Sequence, residues 1–526
     1  MSLLGVDVGT TAVKAGAYTE TGTAIAHAGE AVPGSFPRPG CWEVDAEAVW
    51  EAVVRSIGRV AAHPRVHRDP PTALAVSASG REVFPARADG SALGPCLRTA
   101  DARRPDPDVR ELCSLSDEEW MRALGHVPDH MDPVNRILWW QQQHPRVAAR
   151  ARWYLGWHEQ ATLRLTGRPV TDPVVGGRFA VYEPKATDWS RDRLRGAGIV
   201  PKLLPEVVDW GIRVGTVRPR MANALGLPKG VAVVAGALDT SCGAVGAGAV
   251  DVGTAALASG TWESFVVAAS DPDPAALLRA SLVTEPHPCV TRTGVFASSP
   301  NGTSVIDWVL KLTGVPRRGL DDALQEGDPA PGPLLFIPHL SGATVPWPHA
   351  LHNTGAVSGL SLSSRGIDLV RSVMEGIACD LAFSVRALQR ARVGARGWRV
   401  VGGGSRSRWW MQLKADLTGL PVEIVSVSEP GTRGAALLAG LGIGTFASIA
   451  EVADLPLQIE RRHEPDRDRA QRYLGRLQEH EVAVRDMIRR TAGRGESGAT
   501  RAPRSRGGGP RGSVRGRAPA RPRPSG

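Results

Sequence analysis

The chain has 526 residues, of which 42% are hydrophobic and 22% charged, and its formal net charge is +10. These values are typical of a folded protein with room for two or more cores, and no run of about 18 apolar residues predicts a membrane span. Six scattered cysteines without a CxxC pair argue against a cysteine metal site, and together with the lack of a basic leader they favour a cytoplasmic location.

The basic charge is concentrated at the C-terminus. After Thr491 the chain carries nine arginines against one glutamate, a net +8, which leaves +2 for everything before it. Residues 491–526 contain almost no side chain that could be buried, so we predict a disordered tail. Such a tail could bind nucleic acid through charge alone. Because no aromatic residue is interleaved for base stacking, we favour an unselected extension and expect no nucleic-acid partner.

The first predicted element is a β-hairpin over residues 3–18. Two apolar strands flank Gly9, Thr10 and Thr11, whose backbone N–H groups and hydroxyls are suited to binding an anion. Asp7 lies inside the first strand, where an acid without a partner would be costly. We therefore predict that Asp7 holds Mg²⁺ through water; an ordinary hairpin with a buried acid is the weaker alternative.

A helix is predicted over residues 46–61 from its apolar spacing, and a short strand over 73–77. Arg81 and Glu82 follow that strand, where they could reach a ligand or form an exposed ion pair of little value. Asp101 lies in a polar loop. Segments 135–143 and 147–165 are predicted as helices, and Asp172 as a turn or cap residue.

Residues 231–248 predict a buried strand, a break at Gly236 and a small-residue helix, with Asp239 at the junction. A carboxylate at the exit of a buried strand can meet a ligand lying across the end of the sheet. Taken alone, Asp239 is more simply explained as a helix N-cap. The other segments of the chain decide between these two roles.

A second strand–turn–strand pattern spans residues 255–265, with Gly260 and Thr261 in the turn. Two hairpins of this kind indicate a duplicated architecture. A long helix is predicted over 366–390. A strand at 398–401 ends in Gly402, Gly403 and Gly404, and a helix follows from about Ser407, an arrangement that suits close contact with a nucleotide. A strand at 422–425, a helix at 434–444 and an amphipathic helix beyond Arg461 complete the chain.

These segments together resemble the FGGY carbohydrate kinases, which belong to the actin-like, ribonuclease-H-fold ATP-binding superfamily. The matching segments keep the order of the family from residue 3 to about 445, and among them are GVDVGTTAVK (5–14), VVAGALDTSCGAVGAGAV (233–250), SGTWESF (259–265) and GGGSRSRWWMQLKADLTGLPVE (402–423). The resemblance is stronger to xylulokinases than to glycerol kinases.

The resemblance implies a role for each matching residue. Asp239 is expected to be the catalytic base that accepts the proton of the sugar hydroxyl, and Asp7 the acid that organises Mg²⁺. ATP is expected to contact two phosphate motifs and an adenosine segment, made of Gly9, Thr10, Thr11 and Lys14, of Gly260 and Thr261, and of Gly402, Gly403, Gly404 and Ser407. The sugar is expected to contact Arg81, Glu82, Asp101 and Asp239.

The resemblance further implies an α/β fold of two ribonuclease-H-like domains that flank a catalytic cleft. We place a sugar-binding N-terminal domain at 1–250, a nucleotide-binding C-terminal domain at 251–445, a helical segment at 446–490 and the disordered tail at 491–526. The expected activity is ATP-dependent phosphorylation of a small sugar or polyol, with a pentulose such as xylulose as the first candidate and glycerol or erythritol as alternatives. A homodimer is one assembly that the sequence allows.

Two features depart from the family pattern and leave the sugar open. Ser79-Gly80-Arg81-Glu82 stands where xylulokinases carry a Met-His-Gly type motif, and the second hairpin reads GTWE rather than the commoner GTSG. Two other classes of function stay open at this stage: a non-catalytic sugar sensor with the same fold, and an actin-like or chaperone-like ATPase. The presence of both Asp7 and Asp239 favours the kinase.

Overall fold

The protein is described by a computed structural model that covers residues 1–99, 101–184, 186–343, 345–347 and 354–498, with side chains as far as Thr491. The first half of the chain contains strands β1 (Ser2–Val8), β2 (Ala12–Thr19), β3 (Ala24–Ala31), β4 (Glu43–Val44), β5 (Pro71–Ala78), β6 (Phe84–Ala86), β7 (Cys96–Leu97), β8 (Trp153–Leu155), β9 (Val170–Thr171), β10 (Tyr182–Glu183), β11 (Asp188–Trp189), β12 (Glu206–Val207), β13 (Arg213–Thr216) and β14 (Ala232–Val234). Its helices are α1 (Ala46–Ala61), α2 (Pro64–Arg68), α3 (Val109–Cys113), α4 (Asp117–Leu124), α5 (Pro133–Gln143), α6 (Pro145–Ala148), α7 (Trp157–Thr166), α8 (Pro173–Arg178), α9 (Arg191–Gly196), α10 (Pro219–Leu225) and α11 (Asp239–Gly246).

The second half contains strands β15 (Thr254–Ser259), β16 (Glu263–Ala268), β17 (Val283–Pro286), β18 (Thr293–Ser299), β19 (Leu335–Ile337), β20 (Ala356–Ser358), β21 (Gly397–Val401), β22 (Val422–Val425) and β23 (Ile459–His463). Its helices are α12 (Pro274–Arg279), α13 (Thr303–Thr313), α14 (Leu320–Gln325), α15 (Gly366–Arg390), α16 (Arg408–Thr418), α17 (Pro430–Gly442), α18 (Ile449–Ala453), α19 (Arg467–Arg472) and α20 (Leu474–Gly498). None of the helices in the described part of the chain is long and apolar enough to cross a membrane.

Two mixed sheets organise the molecule, and they share one topology. The first has the strand order β13-β14-β5-β1-β2-β3, and the second has the order β17-β18-β16-β15-β21-β22-β23. In each sheet an antiparallel hairpin (β1–β2 or β15–β16) lies beside a strand that runs parallel to its first member (β5 or β21). The duplicated architecture predicted from the two hairpins is therefore confirmed.

The central strands are apolar on both faces because helices cover both sides of each sheet. In β1, for example, five of the seven residues are buried apolar or glycine positions flanking Asp7. Helix α1 covers one face with Val49, Val53, Ile57 and Val60, and Asp45 caps it by accepting a hydrogen bond from the Glu47 N–H. The helices predicted at 46–61 and 366–390 match α1 and α15 in their bounds.

Helices α11 and α17 form the seam between the two sheets. Ala244 of α11, with Ala247 and Ala249 just after the helix, packs against Ala256, Val266 and Val401 of the second sheet. Helix α17 comes from the second half of the chain, yet it packs residues 435–439 against Leu3 and Ala75 of the first sheet. Each half of the chain thus contributes one helix that packs on the sheet of the other half.

One predicted helix is wrong in part. Residues 147–165 do not form a single helix, because α6 ends at Ala148 and residues 153–155 form strand β8, which pairs with β6. Gly156 then precedes α7, which begins at Trp157. The chain turns into a strand here because β6 offers backbone partners that a local pattern of Trp and Leu cannot reveal.

The C-terminal boundary also differs from its prediction. Helix α20 runs to Gly498, whereas the helical segment was expected to end at residue 490. Its start is held by Glu375 of α15, whose carboxylate accepts hydrogen bonds from Arg476 and from Tyr473, the residue just before the helix. The predicted disorder of the residues after Gly498 lies outside the described residues.

Candidate active site

Asp239 is the first residue of α11 and is partly buried. The cap position belongs to Leu238, and the Asp239 carboxylate accepts a hydrogen bond of 2.6 Å from the Thr240 N–H. Burial raises the pKa of Asp239 to about 7, and the negative charge of Asp7 adds to the shift. A carboxyl group with this pKa can take up a proton near neutral pH.

Asp7 lies on β1 beside β5 and opposite Lys14 of β2. Its Oδ1 accepts a 2.7 Å hydrogen bond from the Ser77 hydroxyl. Burial raises the pKa of Asp7, while the Ser77 hydrogen bond and the charge of Lys14 oppose the rise. The N-terminal turn of α17 covers this carboxylate so closely that a Cβ on Gly431 would lie 2.8 Å from its carboxyl carbon.

The first predicted phosphate motif lies in the β1–β2 turn beside Asp7. The Gly9 N–H closes the turn by donating to the Ala12 carbonyl at 3.1 Å, and Thr10 and Thr11 are accessible to solvent. Lys14 is directed to the seam instead, since its Nζ lies 2.7 Å from Glu429 Oε2 at the start of α17. A phosphate contact by Lys14 would replace or extend this ion pair.

The second predicted phosphate motif is the β15–β16 turn, and it is anchored through its carbonyls. The Thr303 N–H donates to the Gly260 carbonyl at 2.7 Å, and the Ser304 hydroxyl donates to the Thr261 carbonyl at 2.9 Å. Helix α13 therefore fixes one side of the turn. Trp262, at the tip, is 48% exposed.

The glycine run after β21 packs on this second turn. Gly402 has a φ of +95°, and a Cβ there would lie 2.7 Å from the Ser259 carbonyl oxygen, so a glycine is needed. Gly403 faces open space, and Gly404 packs on Ser259. Ser407 caps α16 and donates a 2.5 Å hydrogen bond to Asp321, so its hydroxyl is already engaged.

The predicted sugar-binding pair follows β5, as expected. Glu82 is buried, with its two oxygens accepting 2.7 Å hydrogen bonds from the hydroxyls of Ser79 and Thr99. Arg81 donates to Asp129 and Asp132 at 2.9 Å each. The negative charge of Glu82 adds to the rise in the pKa of Asp239.

Asp101 is fully buried and bonded to the protein. Its carboxylate accepts hydrogen bonds from Arg103 and from the Trp42 N–H, and it lies 3.6 Å from Arg136. In this arrangement Asp101 fixes the loop that also carries Thr99, the hydrogen-bond donor to Glu82. The predicted direct contact of Asp101 with a sugar would require one of these partners to move.

An ion pair that the sequence analysis missed joins the two halves of the chain at the site. Arg178 at the end of α8 binds Glu285 of β17, and both side chains are buried. The positive charge of Arg178 lowers the pKa of Asp239, in opposition to burial. The sequence predicted a turn or cap at Asp172, which is the N-cap of α8, but it did not predict the ion pair of Arg178 at the other end of that helix.

Two similar sheets, one carboxylate at the start of the seam helix and a donor-rich turn on each sheet make up the arrangement that the sequence analysis expected of a sugar kinase. The chain matches the model of the FGGY family of carbohydrate kinases, its N-terminal domain over residues 2–246 and its C-terminal domain over 255–443. The chain therefore belongs to this family of sugar-phosphorylating, ATP-dependent enzymes. The resemblance inferred from the motifs is confirmed.

Three relatives of this chain differ in the substrate that their names give. The chain is 27% identical to the xylulose kinase of Klebsiella pneumoniae over 479 residues, which are 89% of this chain and 96% of that protein. It is 25% identical to the gluconokinase of Bacillus subtilis over 90% of this chain and 93% of that protein. It is 27% identical to the L-fuculokinase of Escherichia coli over 68% and 73%, respectively.

Solved structures confirm the two-domain fold. A xyloylose kinase from Brucella ovis superposes with a TM-score of 0.84 at 24% identity, covering 92% of this chain and 98% of that one. A glycerol kinase from Plasmodium falciparum superposes with a TM-score of 0.80 at 18% identity, covering 92% and 98%. The predicted two-domain α/β fold is therefore correct.

The raised pKa of Asp239 leads to a prediction about pH. If its carboxylate is the base, kcat/KM should rise with pH up to about 7 and then level off, because only the ionised form accepts a proton. Below that pKa the value should fall about tenfold per pH unit. Initial rates between pH 5 and 9 test this, and a flat profile from pH 5.5 to 8 would contradict it.

Proposed function

We propose that this enzyme transfers the γ-phosphoryl group of ATP to a hydroxyl of a small neutral sugar or polyol, with a pentulose such as xylulose as the first candidate. The observation that carries the proposal is Asp239, a carboxylate with a pKa of about 7 at the start of the seam helix, beside Asp7. Phosphoryl transfer needs in-line positioning and charge neutralisation, with one base to orient and deprotonate the acceptor hydroxyl.

Asp239 would accept the proton of the sugar hydroxyl as that oxygen attacks. Glu82 and Arg81 would orient the sugar from the end of β5, where Glu82 is held by two hydroxyls and Arg81 by two carboxylates. Because these side chains are already held in place, they can align the sugar hydroxyl with the γ-phosphoryl group without losing further conformational entropy on binding.

Asp7 fits the requirements of Mg²⁺. This ion is usually bound by one or two carboxylates together with waters and the phosphates of the substrate. Within the described ranges no group of three or more His, Cys, Asp or Glu side chains could hold a metal by itself, so a single carboxylate beside a phosphate-binding turn is the matching arrangement. When bound there, Mg²⁺ would neutralise the charge that develops on the transferred phosphoryl group.

Two anion-binding turns would hold the nucleotide. Gly9 to Thr11 would contact the phosphates from the first sheet, and Gly260 and Thr261 would contact them from the second. Gly403, which faces open space, would lie against the adenosine. Closure of the two halves around α11 and α17 would exclude water and so protect ATP from hydrolysis.

The charges around Asp239 favour a neutral acceptor over an aldonate. Arg81 is bound by two carboxylates and Arg178 by one, so neither cation is left over for a carboxylate on the substrate. A buried substrate carboxylate without a cation would be costly. We expect gluconate to be used roughly tenfold less efficiently, or worse, than the preferred neutral ketose.

A substrate panel tests the proposal. ADP release would be measured with xylulose, ribulose, fuculose, gluconate, glycerol and erythritol, and the preferred substrate should give a kcat/KM in the range of ordinary enzymes, at least about 10⁴ M⁻¹s⁻¹. ATP turnover without any dependence on sugar would contradict the proposal and favour an actin-like or chaperone-like ATPase. Sugar binding without turnover would instead favour a sensor.

A further inference from the structure

A buried ion pair lies at the base of the β15–β16 hairpin, whose turn is the second predicted phosphate motif. Lys414 of α16 is 0% exposed, and its Nζ lies 2.7 Å from Glu263 Oε1 and 3.1 Å from the Ser259 hydroxyl. The Ser259 hydroxyl also donates to Glu263 Oε1 at 2.6 Å. Ser259 and Glu263 oppose each other as the last pair of β15 and β16. The three polar side chains, called here the hairpin cluster, therefore lie directly below the turn.

The same cluster supports the glycine run. A Cβ on Gly404 would lie 2.4 Å from the Ser259 hydroxyl and 2.8 Å from the Trp410 ring, and a Cβ on Gly402 would lie 2.7 Å from the Ser259 carbonyl. Trp410 in turn carries Lys414 Nζ 3.7 Å from its ring centroid. The hairpin cluster thus contacts both the Gly260–Thr261 turn and the glycine run at 402–404, the two segments of the second half that are expected to bind ATP.

A buried ion pair of this kind is a weak source of stability. Burial lowers the pKa of Lys414, and the charge of Glu263 only opposes the shift. The second Glu263 oxygen is buried and has no hydrogen-bond partner among the described residues. Apolar pairs of similar volume are often as stable, but they lack the directional hydrogen bonds that fix one chain segment against another.

We propose that Lys414 and Glu263 are positioning residues for the nucleotide, and that their ion pair fixes the Gly260–Thr261 turn relative to the glycine run. The inference rests on the proposed function, since it assigns both segments to ATP. Departures of about 1 Å in such a site can cost roughly 100-fold in rate. Glu263, the last residue of the GTWE sequence of the second hairpin, thereby has a structural role at the base of the turn.

Calorimetric titration with MgADP tests the inference, together with the KM for the sugar that the substrate panel identifies. Lys414→Met, Glu263→Gln and the double variant should each bind MgADP about tenfold more weakly or worse, while the KM for the sugar changes by less than about twofold. Each single variant should also melt at a lower temperature, because it leaves one charge buried without its partner. The double variant should regain much of that stability but not the MgADP affinity.

A matched control is Glu375→Gln, which disrupts a buried ion pair of α15 and α20 away from the turn. It should lose stability and keep its MgADP affinity. If the lysine variant does not fold, Ser259→Ala removes the shared hydroxyl and leaves the charges paired, and it should increase amide hydrogen exchange over 259–263 as well as weaken MgADP binding.

A double variant that binds MgADP as tightly as the wild type would overturn the inference, and so would a wild-type chain that does not bind MgADP. Failure of the proposed function looks different. In that case the wild type would show no sugar-dependent formation of ADP with any member of the panel, while the hairpin variants would still bind MgADP more weakly than the wild type.

Discussion

Asp239→Asn should lower kcat by about 100-fold or more, the usual scale for loss of a general base, while MgADP affinity stays nearly unchanged. Asparagine has almost the same shape and still accepts the hydrogen bond from the Thr240 N–H, but it cannot take up a proton. The pH dependence of kcat/KM assigned to Asp239 should disappear in the residual activity. Steady-state rates with the preferred sugar, together with calorimetry for MgADP, measure both effects.

Asp273→Asn is the matched control, because Asp273 also stands at a helix start and caps α12 through the N–H groups of Ala275 and Ala276. Asparagine is as good a cap as aspartate. If Asp239 only stabilised the start of α11, the two variants would behave alike and both would keep full activity. That outcome would contradict the catalytic role.

Gly434→Ala should cause a large loss of stability, about 3 kcal/mol or more, because overpacking at a rigid contact forces backbone shifts. A Cβ at Gly434 of α17 would lie 1.8 Å from the Cys242 carbonyl of α11, and the atom it meets is backbone. The two seam helices would have to move apart, which would also displace Asp239. Thermal unfolding and kcat should therefore fall together.

The control for this variant is Gly58→Ala, inside α1, where a Cβ would meet nothing within 4 Å. There the substitution should be neutral or stabilising by up to about 1 kcal/mol, because alanine is the better helix former. A melting temperature for Gly434→Ala within 1 °C of the wild type, or higher, would show that the seam can open without strain. The packing argument would then be wrong.

Features with a local cause could be predicted from the sequence. The bounds of α1 and α15 follow from apolar spacing, and the two hairpins follow from a glycine–threonine turn between apolar strands. The start of a helix at Asp239 follows from the strand, glycine break and small-residue run before it. The prediction of a helix at 147–165 failed because its cause is not local: strand β8 depends on pairing with β6, about 70 residues earlier.

The sequence by itself therefore determined the family and the two-sheet plan, and it singled out Asp7, Asp239 and the turn residues as candidates, because each is encoded in a short contiguous motif. Only the tertiary structure decided what holds them: Lys14 with Glu429, Arg178 with Glu285, and Lys414 with Glu263. These pairs join residues more than 100 positions apart, so no periodicity or spacing could reveal them. They form because α8, α16 and α17 are brought against the sheets when the two halves of the chain pack together along the seam.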